Sequence, residues 1–544
     1  MDTLAENNIK ISNLILDDNW QDVDYHGDGQ WQQGWNDFEA EPKAFHRGLK
    51  ALISDIRSKH KSISYIAVWH ALLGYWGGLS PSGPLTKRYK TIQVTRSDPE
   101  NSQLPLNNTM TVIAPSDIQT FYNDFYTFLT SCGIDGVKTG AQYMLDTLTH
   151  PPTRRALTTP YLDAWTLASL RHFSGHVTAC MSLTPPGLFH TLLPHTRPTI
   201  ACRISDDFFP GVPPAHPWHV FANAHNALLA HHLNVVPDWD MFQTRQAEDD
   251  DGDGGNGGND DDDKVLNNKW ATFHAAARCV GGGPVCLTDV PGRHGLALVR
   301  AVSGPTPRGK TVVFRPSVPG RALDVYNAYR DGGGDDDDDG RAVALLKVGA
   351  YHGRAGTGTG IVGLFNVQMG EGVVTEVLPL GRFPGVVGGA GAGAGGRYVV
   401  RSHNTGRVTR PLEVGSPAAM LTVSLGARGC DVLSAYPLHA VPSRTRGEVL
   451  LANLGLVGKM TGCAAVLRTV FEVRENGRMV VDATVKALGV LGKWLVPYAG
   501  ETVILTSGRH LHLGASRAFA RRRLYGDYSG PADPSSHCFC QQAG

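Results

Sequence analysis

Asn13-Leu-Ile-Leu-Asp-Asp-Asn-Trp20 reads as a short buried strand that turns polar at Asp17. Four consecutive apolar residues are too few for a helix and suit a strand covered on both faces. The texture returns at Tyr65-Ile-Ala-Val68, Gly136-Val-Lys138, Val177 to Ser182, Thr199 to Ile204, Val235-Val236 and Pro284 to Leu287. Helical spacing fills the intervals. Phe45, Leu49, Leu52, Ile53 and Ile56 recur on one face, and Ser116 is placed to cap a helix carrying Ile118, Phe121, Tyr122, Phe125, Phe128 and Leu129, stopped by Gly133. Strand and helix alternating in this way predict a parallel sheet covered by helices. Seven strands can be counted, one short of a closed (β/α)8 barrel.

Past about residue 305 the pattern changes to short β-type runs between Gly-rich turns, such as Thr311-Val-Val-Phe314, Arg397 to Arg401 and Met420 to Leu425. Asn476-Gly477 between Phe471–Val473 and Met479–Val485 is a hairpin signal. The expected organisation is an α/β barrel over 1–304 with an acidic insertion at 248–263. An antiparallel β domain over 305–525 follows, with insertions at 331–340 and 388–396, and then a disordered tail over 526–544. The insertions are Asp- and Gly-rich and have no apolar area to bury, so they belong to solvated loops.

The chain has 544 residues, with 50 Lys+Arg against 50 Asp+Glu. The acidic insertions hold 15 of the carboxylates, and the basic residues are scattered, the densest group being Arg521, Arg522 and Arg523. A nucleic-acid reader concentrates its basic face, so no nucleic-acid partner is expected. No run of about 18 apolar residues offers a membrane span. The amino end lacks the basic and apolar regions of a secretion signal. Nine scattered cysteines fit reduced thiols in a cytoplasmic protein.

Barrel strands present catalytic groups at their C-terminal ends. Here those ends read Asp17-Asp18-Asn19-Trp20, Trp69-His70, Lys138, Cys180-Met-Ser182 and Arg203-Ile-Ser-Asp206-Asp207. Paired carboxylates hold sugar hydroxyls, and an indole face packs on a sugar's C–H surface. Singly, each has a plain alternative: Asp17 and Asp18 can cap a following helix, and Trp69 can be core. Five such ends in succession point to carbohydrate. Gly358-Thr-Gly-Ile-Val-Gly363 has dinucleotide-loop spacing, but it runs into another strand instead of opening a helix. No HExxH or comparable ligand set occurs, so neither cofactor nor metal is expected.

Leu16-Asp-Asp-Asn-Trp-Gln21, Val68-Trp-His-Ala-Leu-Leu-Gly-Tyr-Trp-Gly-Gly78 and Arg203-Ile-Ser-Asp-Asp-Phe-Phe-Pro210 resemble the raffinose synthase and seed imbibition protein group of glycoside hydrolase family 36. So do Pro237-Asp-Trp-Asp-Met-Phe-Gln243, Phe273-His-Ala-Ala-Ala-Arg278 and Gly363-Leu-Phe-Asn-Val-Gln368. The resemblance implies a (β/α)8 barrel followed by a β-sandwich. It also implies action on α-galactosides such as raffinose, stachyose, melibiose or galactinol, by hydrolysis or by transfer to a sugar acceptor. It further implies a β-rich domain and a first barrel strand ahead of this chain's start, which residues 1–12 are too few to supply.

Relatives of this kind use a retaining mechanism with two carboxylates roughly 5 Å apart. By resemblance the acid/base is Asp206, with Asp207 the alternative. Asp17, Asp18, Trp69, Lys138, Cys180, Arg203 and Asp207 fall on substrate-binding positions. The nucleophile belongs to a Lys-x-Asp-x-Gln segment, which here reads Lys138-Thr-Gly-Ala-Gln142, so glycine stands at position 140. Glycine cannot attack carbon. The chain is therefore expected to be an impaired α-galactoside-processing enzyme or, alternatively, an inactive galactoside-binding or scaffold homologue.

Overall fold

The structure, a computed structural model, describes residues 1–25, 29–98, 108–245, 269–329, 344–354, 357–370, 372–388, 396–443, 447–473, 479–496, 505–506, 511–513 and 539–543. The acidic insertion 248–263, nearly all of the Gly-rich 388–396, the 331–340 insertion, Asn476-Gly477 and Arg521 to Arg523 lie outside the described residues.

One parallel sheet organises the first half. Its hydrogen-bonded order is Val235–Asp238, Ile200–Arg203, Val177–Ala179, Gly136–Gly140, Tyr65–Ala71, Asn13–Leu16, Phe539–Ala543, Val285–Leu287 and Met241–Phe242. The first and last members of that order are separated in sequence only by Trp239 and Asp240. The three residue steps from Asp238 to Met241 reach at most about 11 Å, so the two ends of the sheet are held close to each other. All seven strands read from the sequence are present.

The neighbour of Asn13–Leu16 comes from the far end of the chain. Asn13 pairs with Cys540 and Leu16 with Ala543, while Val285 pairs with Phe539 on the other side. The tail expected to be disordered thus contains a strand, Phe539–Ala543, between two parallel partners; the rest of 526–544 lies outside the described residues. Local sequence gives no sign of this, because the segment lacks an apolar run and its pairing depends on a slot made by residues hundreds of positions away.

The strand pattern divides the core. Ile15, Ala67 and Cys286 form a small buried cluster on one face of the sheet, with Tyr65 and Met241 against it. Leu14, Leu16, Ile66 and Val68, one residue out of phase, join the large cluster that includes the helices. The helix Ile118–Ser131 contributes Ile118, Phe121, Tyr122, Phe125, Tyr126 and Leu129 to it. Its N-cap is Asp117, not Ser116, and the hydroxyl of Ser116 instead donates to the Asp117 carboxylate. Gly133, at φ +88°, turns the chain out of that helix in a conformation that favours glycine.

The region that follows is an antiparallel β domain. Its main sheet runs Val318–Ala322, Leu346–His352, Thr359–Phe365, Cys430–Pro437, Arg397–Ser402 and Leu412–Glu413. Alternation assigns its faces. Ile361 and Phe365 join the helix-side core, where Phe365 meets Phe273 at 5.1 Å. Val362 and Leu364 face the other way, against Leu378 and Phe383. Gly358 precedes a strand, Thr359–Phe365, which excludes the dinucleotide reading. The strands Val466–Val473 and Met479–Val485 pair antiparallel as the hairpin signal required.

Candidate functional site

The site forms where strands of the parallel sheet end. Asp17, one residue past Asn13–Leu16, accepts a 2.8 Å ion-pair contact from Lys138 Nζ, and both side chains are buried. Burial opposes the Lys138 charge, yet the Asp17 carboxylate, with Cys180 and Asp240 adding to it, holds the ammonium above its ordinary value. Register places Trp69 beside Lys138 and Ala71 beside Gly140 on neighbouring strands. The intervening Thr139 points the other way, to His70 and to the Trp165 indole of the helix layer.

Asp18 is held by three side-chain donors, the Tyr75 hydroxyl, Trp76 Nε1 at 2.7 Å and Gln30 Nε2 at 3.2 Å, and by the Asn19 amide at 2.7 Å. The alternative in which these aspartates cap a helix does not hold, because a hairpin, Gln21–Tyr25 with Gln33–Ala40, follows them. A second hairpin, Thr91–Arg96 with Asn108–Ile113, is tied to the first segments through bridges at Trp35–Leu79 and Gly78–Thr111. Trp76 stacks on Trp69 at 5.7 Å and 25°, and Trp31 meets Trp76 edge-on at 4.8 Å. The buried Arg96 clamps this aromatic wall by donating to the carbonyls of Trp76 and Trp31, each at 2.6 Å.

Cys180 and Arg203 complete the inner group. Burial pushes the Cys180 thiol up to about 11 against the pull of Arg203 and Lys138, which excludes a thiolate there. Arg203 Nη1 pairs with Asp207 and lies 3.7 Å from Asp240 Oδ2, while its Nε has no hydrogen-bond partner among the described residues. Two carboxylates passed over in the sequence sit here. Asp240, at φ +65°, accepts from the Phe208 amide at 2.9 Å. Burial works against its ionisation, but Arg203 and Lys138 outweigh it and keep Asp240 below the ordinary carboxylate range. Asp238 is pushed up to about 6 by burial and by the Asp240 charge. Their signal was the doublet in Pro237-Asp-Trp-Asp240. The Phe273–Arg278 segment supports the doublet, because Arg278 Nε donates to Asp240 O and Arg278 Nη2 to Met241 O.

Asp206 and Asp207 have different partners. Asp207 is the one paired with Arg203 and close enough to Cys180 to raise its thiol pKa. Asp206 turns to the helix Ala215–Ala230, accepting from Trp218 Nε1 at 3.2 Å and lying 3.5 Å from His219 Nδ1.

Gly140 is buried on an ordinary strand backbone. A Cβ built there would lie 2.4 Å from Trp69 Nε1, 2.7 Å from Cε2 and 2.8 Å from Cζ2. The indole of Trp69 fills the space that any side chain at 140 would need. Among the described residues no group of His, Cys, Asp and Glu is arranged to hold a metal ion, and no helix is long and apolar enough to cross a membrane.

Residues 35–250 and 261–376 match the family described as "Raffinose synthase or seed imbibition protein Sip1". The chain belongs to that family. The "Probable galactinol--sucrose galactosyltransferase 6" of Arabidopsis thaliana is 28% identical over 378 residues, 65% of this chain and 44% of that protein. The galactinol–sucrose galactosyltransferase of Oryza sativa subsp. japonica is 24% identical over 535 residues, 89% of this chain and 62% of that one. This raffinose synthase/seed imbibition family member thus spans less than two thirds of the length of either relative. The solved α-galactosidase of Saccharomyces cerevisiae with raffinose is similar at 10% identity and TM-score 0.44, covering 80% of this chain and 92% of that one.

Proposed function

We propose that the chain recognises α-galactosides through a site that has lost its nucleophile, so that it binds such sugars without cleaving or transferring them at an enzyme's rate. The observation that carries this reading is Gly140 with the Trp69 indole against it. In a retaining mechanism a carboxylate must attack the anomeric carbon, and removing the nucleophile from a protease costs on the order of 10⁶ in turnover. The rest of the set supports recognition. Asp17 and Asp18 offer acceptors for sugar hydroxyls, Lys138 and the free Nε of Arg203 offer donors, and Trp76 and Trp69 supply apolar faces. The acid/base place falls to Asp207 rather than Asp206, on the strength of its pairing with Arg203 and its closeness to Cys180.

The scaffold reading that goes with this site is a (β/α)8 barrel carrying a β-sandwich. It is supported by eight positions around the sheet, counting Val235–Asp238 and Met241–Phe242 as one interrupted strand, and by the two-layered packing of the β domain.

The test is raffinose binding by calorimetry alongside nitrophenol release from nitrophenyl α-galactoside. Binding with no release is the expected result, and release at an enzyme's rate by the chain as it stands would overturn the reading. Release that appears only when Gly140→Asp is combined with a smaller residue at Trp69 would locate the lost nucleophile.

A further inference from the structure

An exposed indole is held rigid beside the site, and nothing in the sugar-binding set so far uses it. Trp218 is 42% exposed. Its ring edge is fixed by Nε1 donating to Asp206 Oδ2 at 3.2 Å. Its flank stacks on Phe221 at 6.1 Å and 23°, and Tyr329, from the β domain, meets it at 5.1 Å. Phe209, 49% exposed, adds apolar surface three residues from Asp206. The Asp206 carboxylate is itself half-exposed, so it retains acceptor capacity toward solvent beyond the Trp218 bond.

We infer that Trp218 and Asp206 form a subsite for a second pyranose unit, the one that adjoins the galactose in an oligosaccharide. The inference rests on the reading of the neighbouring site as a galactoside site. Its argument is chemical. A pyranose presents an apolar C–H face ringed by hydroxyls, and it is matched by an aromatic face with a carboxylate at its edge. Trp218 supplies the face and Asp206 the acceptor. Asp206 also adjoins Asp207, whose Arg203 pairing ties it to the inner pocket, so the second unit emerges next to the position where a glycosidic oxygen would lie. Because the hydrogen bond and the two ring contacts already fix the indole, little side-chain freedom is lost when a sugar settles on it.

The test is calorimetric titration of the full chain with galactose, melibiose and raffinose, repeated on Trp218→Ala, Trp218→Phe and Asp206→Asn. An aromatic face of this kind accounts for roughly three- to tenfold in affinity. Trp218→Ala is expected to weaken melibiose and raffinose by about that factor while galactose binding stays as it was. Trp218→Phe, which keeps a ring but loses Nε1, should recover most of the loss, and a thermal melt matching the parent separates this from misfolding. An unchanged ratio of raffinose to galactose affinity in Trp218→Ala overturns the subsite and leaves the galactoside site standing. Failure of the parent chain to bind galactose or raffinose overturns both.

Discussion

Replacing Gly140 by alanine adds one methyl group to a place the Trp69 indole occupies. Backbone strain does not enter, because Gly140 lies on an ordinary strand. The cost is therefore one of space. The three contacts of 2.4, 2.7 and 2.8 Å all involve the five-membered edge and adjoining ring of one indole, which has to shift as a unit. Overpacking of this kind costs roughly 1–3 kcal/mol. If the shift also breaks the stack on Trp76, about 0.5–1.5 kcal/mol is added. We expect Gly140→Ala to lower unfolding stability by about 1–4.5 kcal/mol in urea, with the slope of the transition unchanged. A double-mutant cycle with Trp69→Ala isolates the cause. That substitution alone costs roughly 3–5 kcal/mol through the cavity it leaves, but it also makes room for the methyl, so the double variant should be more stable than the sum of the singles implies. Additivity within about 0.5 kcal/mol would refute the argument that Trp69 fills the place of a side chain at 140.

Two further outcomes follow from buried charge. Lys138→Met leaves the buried Asp17 carboxyl, already pushed up by burial, without its partner, a loss of roughly 3–5 kcal/mol measurable by the same urea melts, and Asp17→Asn in the same background should recover part of it. Burial lowers His70 to about 4, while its unfolded value is near 6.5. Below pH 6.5 the unfolded chain therefore binds a proton that the folded chain refuses. His70 thus contributes stability above pH 6.5 that is lost as pH falls toward 4, about 3 kcal/mol in all. His216, also lowered to about 4 chiefly by burial, adds in the same direction, while Asp238, raised to about 6, works the opposite way between pH 4 and 6. Melts between pH 7 and 4.5 should show a net fall that is shallower in His70→Gln. An equal slope in that variant would count against the buried neutral imidazole.

Much of the parallel sheet was legible because its strands are short apolar runs ended by polar residues, a local code. The candidate side chains were legible for the same reason: Asp17, Asp18, Cys180 and Arg203 stand at or just beyond strand ends, while Lys138 lies at the middle of Gly136–Gly140. What escaped depends on distant partners. Nothing in Val68–Gly78 alone says that Trp76 and Tyr75 will hold Asp18, nor that the Trp69 ring will take up the room left at Gly140. The hairpins after the first two strands were not read, although Ile92 and Val94 on one strand and Met110 and Val112 on its partner alternate with polar residues. Asp206 and Asp207 are adjacent in sequence, and only the fold sends one to Arg203 and the other to Trp218.

The strand Phe539–Ala543 has a consequence for the order of folding. Its partners, Asn13–Leu16 and Val285–Leu287, lie on the other side of the whole β domain in sequence, so among the described residues the pairing with Asn13–Leu16 closes the longest loop. Loop closure of that length must be met before the contact returns any stabilisation, and non-local pairings of this kind are slow. The β domain and the other strands of the parallel sheet can assemble from nearer contacts first. Until this strand slots in, Asn13–Leu16 and Val285–Leu287 each wait with a parallel edge open, and the slow kinetic phase should be the one that a missing 539–543 segment abolishes.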